Sequence, residues 1–229
     1  MEDPRLANIR AAYGRRTELA DLYDPLLTPN VRMRLERTRI QAALIRRWLG
    51  PNRLADMDVL EIGCGTGDNI LSLIALGADP HRIVGNELLD ERLEIAARRL
   101  PSAVRLHLGD GAQLPDSYGS FDLIMQFVVF SSILDDPLLT TLASRIWNML
   151  RPGGIILSYD MAVGNPFNPD VRGIPPWKLK MLFPGGELTA RSLTVAPPLA
   201  RIVSDKLYPL LAAMPFLRTH CLCAIRKSR

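Results

Sequence analysis

The sequence predicts an α/β fold, an open and mostly parallel sheet of seven strands with helices on both faces. Three observations predict it. From residue 58 to 160, short apolar runs alternate with helical patterns in the order strand, helix, strand, helix, strand, loop, strand, helix, strand, the pattern of βαβ units. A glycine-rich turn joins the first of these strands to the first helix. Glu61, Glu87 and Asp110 each fall at or near the end of an apolar run, at the carboxyl ends of strands, where open parallel sheets bind their ligands. At 229 residues the chain has the size of one domain. Residues 1–50 read as an N-terminal helical cap or lid and 51–229 as the domain proper, within which 163–215 form a substrate-side loop and helical insertion.

In chain order, residues 6–20 and 31–49 carry helical patterns, separated by a turn over 23–30 that contains Pro25 and Pro29, since proline interrupts a helix interior. Ile40, Ala43, Leu44 and Trp48 recur at helical spacing, so one face of the second helix is expected to pack on the sheet. Tyr13 and Tyr23 read either as lid residues that reach a substrate or as packing residues with a surface hydroxyl.

Val59-Leu60-Glu61-Ile62 is an apolar run interrupted by one acid, and Gly63-Cys64-Gly65-Thr66-Gly67 follows. Glycines at every second position turn sharply and let a ligand approach the backbone. Asp68-Asn69 then open a helix expected to end at Gly77. A dinucleotide fingerprint needs glycine at position 68, where this chain has Asp68, an acid that would oppose a pyrophosphate. A Walker A loop needs Lys-Ser or Lys-Thr after the glycines, and neither is there. A second strand ends in Glu87-Leu88, and Asp90 caps a helix over 91–100. A third, over 104–108, leads into Gly109-Asp110-Gly111-Ala112. Residues 121–127 form the fourth, ending in Gln126-Phe127. Asp135-Asp136-Pro137 starts a helix over 138–150, and Leu150-Arg151-Pro152-Gly153-Gly154 turns into a fifth strand that ends near Tyr159-Asp160.

The pattern acid-x-Gly-x-Gly-x-Gly, with Glu87, the Gly-Asp-x-Ala segment and the Arg-Pro-Gly-Gly turn in this order, resembles the class I (Rossmann-like) S-adenosylmethionine-dependent methyltransferases of the type 11/25 kind. The resemblance covers about residues 58–160 and departs from the family pattern at Gly111, which separates Asp110 from Ala112. It implies S-adenosylmethionine as cofactor and S-adenosylhomocysteine as product. It implies a cofactor site made by Glu61, Gly63, Cys64, Gly65, Gly67, Asn69, Glu87, Leu88, Asp110, Gly111, Ala112, Gln126 and Phe127. In that site Glu87 takes the ribose hydroxyls and Asp110 the adenine amino group. Methyl transfer is an in-line displacement in which alignment supplies much of the rate and a base assists an alcohol. Asp160 is the candidate base or substrate anchor, or else a loop-capping carboxylate. Ser131, Tyr159 and Asn165 are candidate substrate residues beside Tyr13 and Tyr23.

Beyond residue 163 a proline-rich connection leads to a short helix over 177–183, a sixth strand over 188–195, an apolar helix over 199–213 and a last strand over 218–226. The family's last two strands are usually joined directly, so the inserted helix is a departure. Its Leu199, Ile202, Val203, Leu207, Leu210 and Leu211 suit core packing, a dimer face or docking on a lipid-linked substrate.

Absences narrow the acceptor. The fourth strand runs into Phe127-Val128-Val129 rather than Asn/Asp-Pro-Pro-Tyr, and no Pro-Cys nucleophile is present. The expected acceptor is therefore a small molecule or glycan, methylated on a hydroxyl oxygen. The alternatives are an RNA or protein methyltransferase, or a cofactor-binding partner subunit without turnover. Net charge is +4, and Glu36 interrupts the basic run 32–39, so that run reads as a solvated helix face and nucleic acid is not the expected partner. No metal is expected, since Cys221 and Cys223 lack a second pair. Three cysteines, the absence of a signal-like start and the absence of an apolar run of about 18 residues lead to the expectation of a cytoplasmic protein, monomer or homodimer, with peripheral membrane contact at most.

Overall fold

The computed structural model describes residues 7, 9–12, 14, 24–49, 54–165, 168–204 and 206–228. Tyr13 and Tyr23 lie outside the described residues, as does most of the helix expected over 6–20. The strands are β1 (Val59–Ile62), β2 (Ile83–Glu87), β3 (Arg105–Leu108), β4 (Phe121–Phe127), β5 (Leu150–Met161), β6 (Gly186–Val195) and β7 (Arg218–Lys227). They form one seven-stranded sheet in the order β3-β2-β1-β4-β5-β7-β6. The first five pair in parallel, and β7 runs antiparallel between β5 and β6.

The helices are α1 (Thr28–Leu49), α2 (Asp68–Ala75), α3 (Asp90–Arg99), α4 (Asp136–Met149), α5 (Pro176–Leu182), α6 (Pro197–Ile202) and α7 (Tyr208–Ala212). Period-2 alternation sends each strand's side chains to two cores. Leu60, Ile62, Val84, Ile124 and Ile156 pack with Leu139, Leu142 and Ile146 of α4 and Leu179 of α5. Val59, Ile83, Leu123, Met125 and Ile155 pack with Leu44 and Ile45 of α1, Ile70 and Leu73 of α2 and Ala96 of α3. Each helix therefore covers one sheet face, as parallel strands buried on both sides require. At the amino-terminal edge Arg151 bridges Asp58 at 2.7 Å and Asp122 at 2.6 Å, tying β1, β4 and β5 together away from the ligand end.

The α1 helix starts at Thr28, so Pro29 sits in its first turn, where a missing N–H costs nothing. The single helix expected over 199–213 is two short ones, α6 and α7. Pro209 lies in the first turn of α7 and has no N–H to continue a helix through it. Leu199, Val203 and Leu211 pack around Tyr208 and Ala200, while Ile202, Leu207 and Leu210 are exposed. Among the described residues no helix is long and apolar enough to cross a membrane.

Candidate functional site

Register brings the strand ends to one level. Ile62 pairs with Asn86 on one side and Gln126 on the other, and Glu87 pairs with Leu108. The sheet order reverses between β1 and β4, the switch point at which such sheets open a crevice. A cleft opens there. Ile62, Gly63, Glu87, Leu88, Asp110 and Gly111 line one side, and Val129, Ser132 and Ile133, with Leu138 and Leu142 of α4, line the other.

The three loop glycines have φ of 66°, 57° and 86° at Gly63, Gly65 and Gly67, the left-handed region that favours glycine. A Cβ on Gly63 would stand 2.5 Å from Val129 Cγ2. The loop is tied to β2 by the Cys64 N–H, which donates to the Asn86 carbonyl at 2.8 Å, and by the Gly65 N–H, which donates to Glu87 Oε2 at 2.8 Å. Glu87 Oε1 accepts from the Leu88 and Leu89 N–H groups at 2.7 and 3.0 Å. Asp110 Oδ1 accepts from the Ala112 N–H at 2.9 Å. Gly111, the departure from the family pattern, has a local reason. A Cβ there would meet Asn86 Oδ1 at 2.8 Å, and Asn86 is held by its bond to the Gly109 carbonyl at 2.9 Å.

Glu61 lies behind this wall, fully buried. Its Oε1 accepts from Asn69 Nδ2 at 2.6 Å, while its Oε2 is sealed from solvent with no hydrogen-bond partner among the described residues. Burial pushes its carboxyl up to about 8, against the opposing pull of the Asn69 bond and of Arg37. Asn69 is bonded on both sides, since its Oδ1 accepts from Arg37 Nη2 at 2.7 Å. Arg37 corrects the reading of residues 32–39 as a solvated face: its Nε is buried, and its guanidinium stands over the rings of Phe127 and Tyr159.

Asp160 does not line the cleft. It is 1% exposed, its Oδ2 accepts from Gln126 Nε2 at 2.6 Å and Ser158 Oγ at 3.3 Å, and its Oδ1 accepts from the Ser131 N–H at 3.0 Å. Burial raises its pKa to about 6. Gln126 also bonds Ser158, and its Oε1 accepts from the Val129 and Phe130 N–H groups at 3.2 Å. This network pins the turn after β4, where Val128 sits at φ 64°, a conformation that strains a β-branched residue by about 1–3 kcal/mol. Gln126, Ser131 and Asp160 thus shape the cleft wall from behind. Tyr159 is buried, its hydroxyl 3.0 Å from Thr194 Oγ1 and its ring stacked on His220. Asn165 is exposed on the connection after β5.

The structure therefore gathers Gly63, Glu87, Leu88, Asp110 and Gly111 at the cleft and sets Glu61, Cys64, Asn69, Gln126 and Phe127 just behind it. Sequence reading missed Asn86, Val129 and the apolar wall of α4. Of these only Asn86 carried a signal, standing next to Glu87 at a strand end.

Residues 59–154 match the family model described as a methyltransferase domain. This stretch is a class I methyltransferase domain. Relatives of the domain differ in what they act on. The chain is 31% identical over 123 residues to ribosomal protein L11 methyltransferase of Pseudomonas aeruginosa, covering 52% of this chain and 38% of the relative. It is 27% identical over 125 residues to tRNA N(3)-cytidine methyltransferase METTL2B of Homo sapiens, covering 49% and 33%. The chain thus spans less than half the length of these relatives. Its fold matches the crystal structure of Burkholderia thailandensis 1,6-didemethyltoxoflavin-N1-methyltransferase, which holds S-adenosylhomocysteine. The TM-score is 0.65 at 17% identity, over 97% of this chain and 88% of that one.

Proposed function

We propose that the chain binds S-adenosylmethionine and transfers its methyl group to a hydroxyl oxygen of a small molecule or glycan, releasing S-adenosylhomocysteine. The observation that carries the cofactor reading is the unpartnered Glu61 Oε2, a buried acceptor at the head of three left-handed glycines. A buried acceptor without a donor is costly, and an ammonium group supplies the missing donor. The Glu87 carboxylate at the tip of β2 suits a pair of ribose hydroxyls. Asp110 suits an exocyclic amine, and Ile133, Leu138 and Leu142 offer an apolar face to a planar base. The cofactor, when bound, supplies a methyl group on a positively charged sulfur. The chain's own part is to orient it, exclude water and align an acceptor oxygen. Asp160 enters this reading as a positioning residue, since the groups it bonds set the backbone of the cleft wall.

Two observations support a small acceptor. A fold likeness to an enzyme named for the small molecule 1,6-didemethyltoxoflavin runs over nearly the whole chain. Three arginines of the domain are also paired with acids, Arg145 with Asp116, Arg172 with Asp136 and Arg99 with Asp68, which offsets part of the positive charge that nucleic acid requires. The names of the ribosomal-protein and tRNA relatives favour a second reading, a macromolecular acceptor. Calorimetry with S-adenosylhomocysteine tests the cofactor, and turnover on sugar and phenolic hydroxyls tests the acceptor. RNA affinity that falls steeply with salt would favour the second reading.

A further inference from the structure

We infer that the outer side of α1 and the insertion carrying α6 and α7 form a surface that docks on a lipid bilayer with anionic headgroups. This surface lies outside the cleft lining, and its role does not depend on the cofactor.

Large apolar side chains meet solvent mainly here. Among the described residues the five most exposed are Leu26 at 85%, Ile202 at 81%, Phe216 at 80%, Met181 and Leu35. Four of these five lie on two stretches, the start of α1 and the insertion between β6 and β7. Leu27, Val31, Leu207 and Leu210 are exposed on the same stretches. On α1 the spacing of Leu27, Val31 and Leu35 makes one stripe. In the insertion Tyr208 and Leu211 turn inward to Ala200 and Val203, which leaves Leu207 and Leu210 on the outer side. The two stretches touch, since the Arg32 guanidinium stands 4.0 Å over the Tyr208 ring. Arg32 adjoins Val31 and Tyr208 adjoins Leu207, so this contact sets the two exposed groups side by side. Clustered exposed apolar side chains mark a surface that meets something other than water.

Charge selects the occupant. Residues 24–39 hold four arginines against Asp24 and Glu36, and residues 196–218 hold Arg201, Lys206 and Arg218 against Asp205. Each stretch has an excess of two positive charges, and together they equal the net +4 of the whole chain. Arg39 and Lys206 are exposed and form no salt bridge among the described residues, whereas Arg82, Arg99, Arg145, Arg151 and Arg172 each pair with an acid. A second copy docked about a two-fold axis would set cations against cations. Nucleic acid would take the cations but gives Ile202, Leu207 and Leu210 nothing to enter. Aliphatic and Phe tips beside Lys and Arg are the composition of an interfacial membrane surface. Register puts this surface at the ligand end of the sheet: His220 lies opposite Met161 near the end of β5, and Arg218 opposite Val195 at the end of β6.

The test is co-sedimentation of the full chain with vesicles of phosphatidylcholine alone and of phosphatidylcholine with about 30% phosphatidylglycerol, at about 0.1 and 0.5 M salt. The anionic vesicles are expected to bind at least about tenfold more tightly at low salt, and high salt is expected to remove most of that preference. Ile202→Ser with Phe216→Ser is expected to weaken binding at least about tenfold at both salt concentrations. Arg39→Gln with Lys206→Gln is expected to reduce the preference for anionic vesicles by about ten- to thirtyfold, and provides a second variant that leaves the apolar tips intact. An intact chain that binds neither vesicle, or both equally, overturns the inference. Parental binding by both folded variants overturns it too, since another surface then makes the contact. A dimeric mass by light scattering that Ile202→Ser with Phe216→Ser converts to a monomer, without vesicle binding, gives the surface to a second copy and overturns the inference.

Discussion

Replacing Glu61 with Gln separates the stability of the site from its binding, because the two respond in opposite directions. In the free protein this carboxyl is fully buried and pushed up to about 8 from an ordinary 4.5. A folded pKa above the unfolded one means that stability is full below about pH 4.5 and is lost as pH rises towards 8. At about 1.4 kcal/mol per pH unit the loss reaches at most about 5 kcal/mol. Gln in the same pose keeps an acceptor for Asn69 and carries no charge. It leaves a buried amide donor short of a partner, a cost of about 1–3 kcal/mol. The net expectation at pH 8.5 is a gain of about 1–3 kcal/mol, read as a rise of about 5 °C in Tm. The gain shrinks as pH falls from 8 to 5. Affinity for S-adenosylhomocysteine moves the other way, weaker by about ten- to a hundredfold, because the ammonium loses a charge-assisted acceptor. Thermal denaturation at pH 5.5 and 8.5, with calorimetry on the same samples, reads both effects. A variant that is less stable than the parent at pH 8.5, or that binds the ligand equally well, refutes the reasoning.

Two further outcomes follow from the site. Gly63→Ala places a Cβ at φ 66°, 2.5 Å from Val129 Cγ2, so the loop and the facing wall both shift. S-adenosylhomocysteine affinity is expected to fall at least about tenfold with a stability loss of about 1–2 kcal/mol, measured by calorimetry and urea denaturation. Asp160→Asn turns one acceptor into a donor facing the Gln126 amide or the Ser131 N–H, so urea denaturation should report a loss of about 1–3 kcal/mol. S-adenosylhomocysteine binding should stay within about twofold, since Asp160 lies behind the cleft, and a large loss of binding would place it in direct contact with the ligand.

The parts legible in the sequence are those whose cause is local. Gly63, Gly65 and Gly67 announce a left-handed loop because few other residues tolerate it. Glu61, Glu87 and Asp110 announce strand ends because Glu61 stands one residue from the end of its apolar run and the other two follow theirs. Helix α4 is legible because Asp135 caps it, accepting the Leu138 N–H at 2.7 Å. What escaped depends on partners far along the chain. Arg37 lies in a basic run whose spacing fits a solvated face, and only the seating of α1 against Asn69, Phe127 and Tyr159 turns it inward. Asp160 reads as an available base until β4–β5 register sets Gln126 opposite Ser158 and brings the amide onto the carboxylate. The split of the insertion into α6 and α7 had a local cause, Pro209, which the run of leucines around it concealed.

The central claim is that the glycine loop, Glu61 and Glu87 hold S-adenosylmethionine rather than a dinucleotide. Titration calorimetry with S-adenosylhomocysteine, run beside NAD on the same preparation, tests it most directly. Saturable binding of S-adenosylhomocysteine alone, with a dissociation constant on the order of micromolar, is the result expected. Binding of NAD in its place, or of neither ligand, would contradict the account.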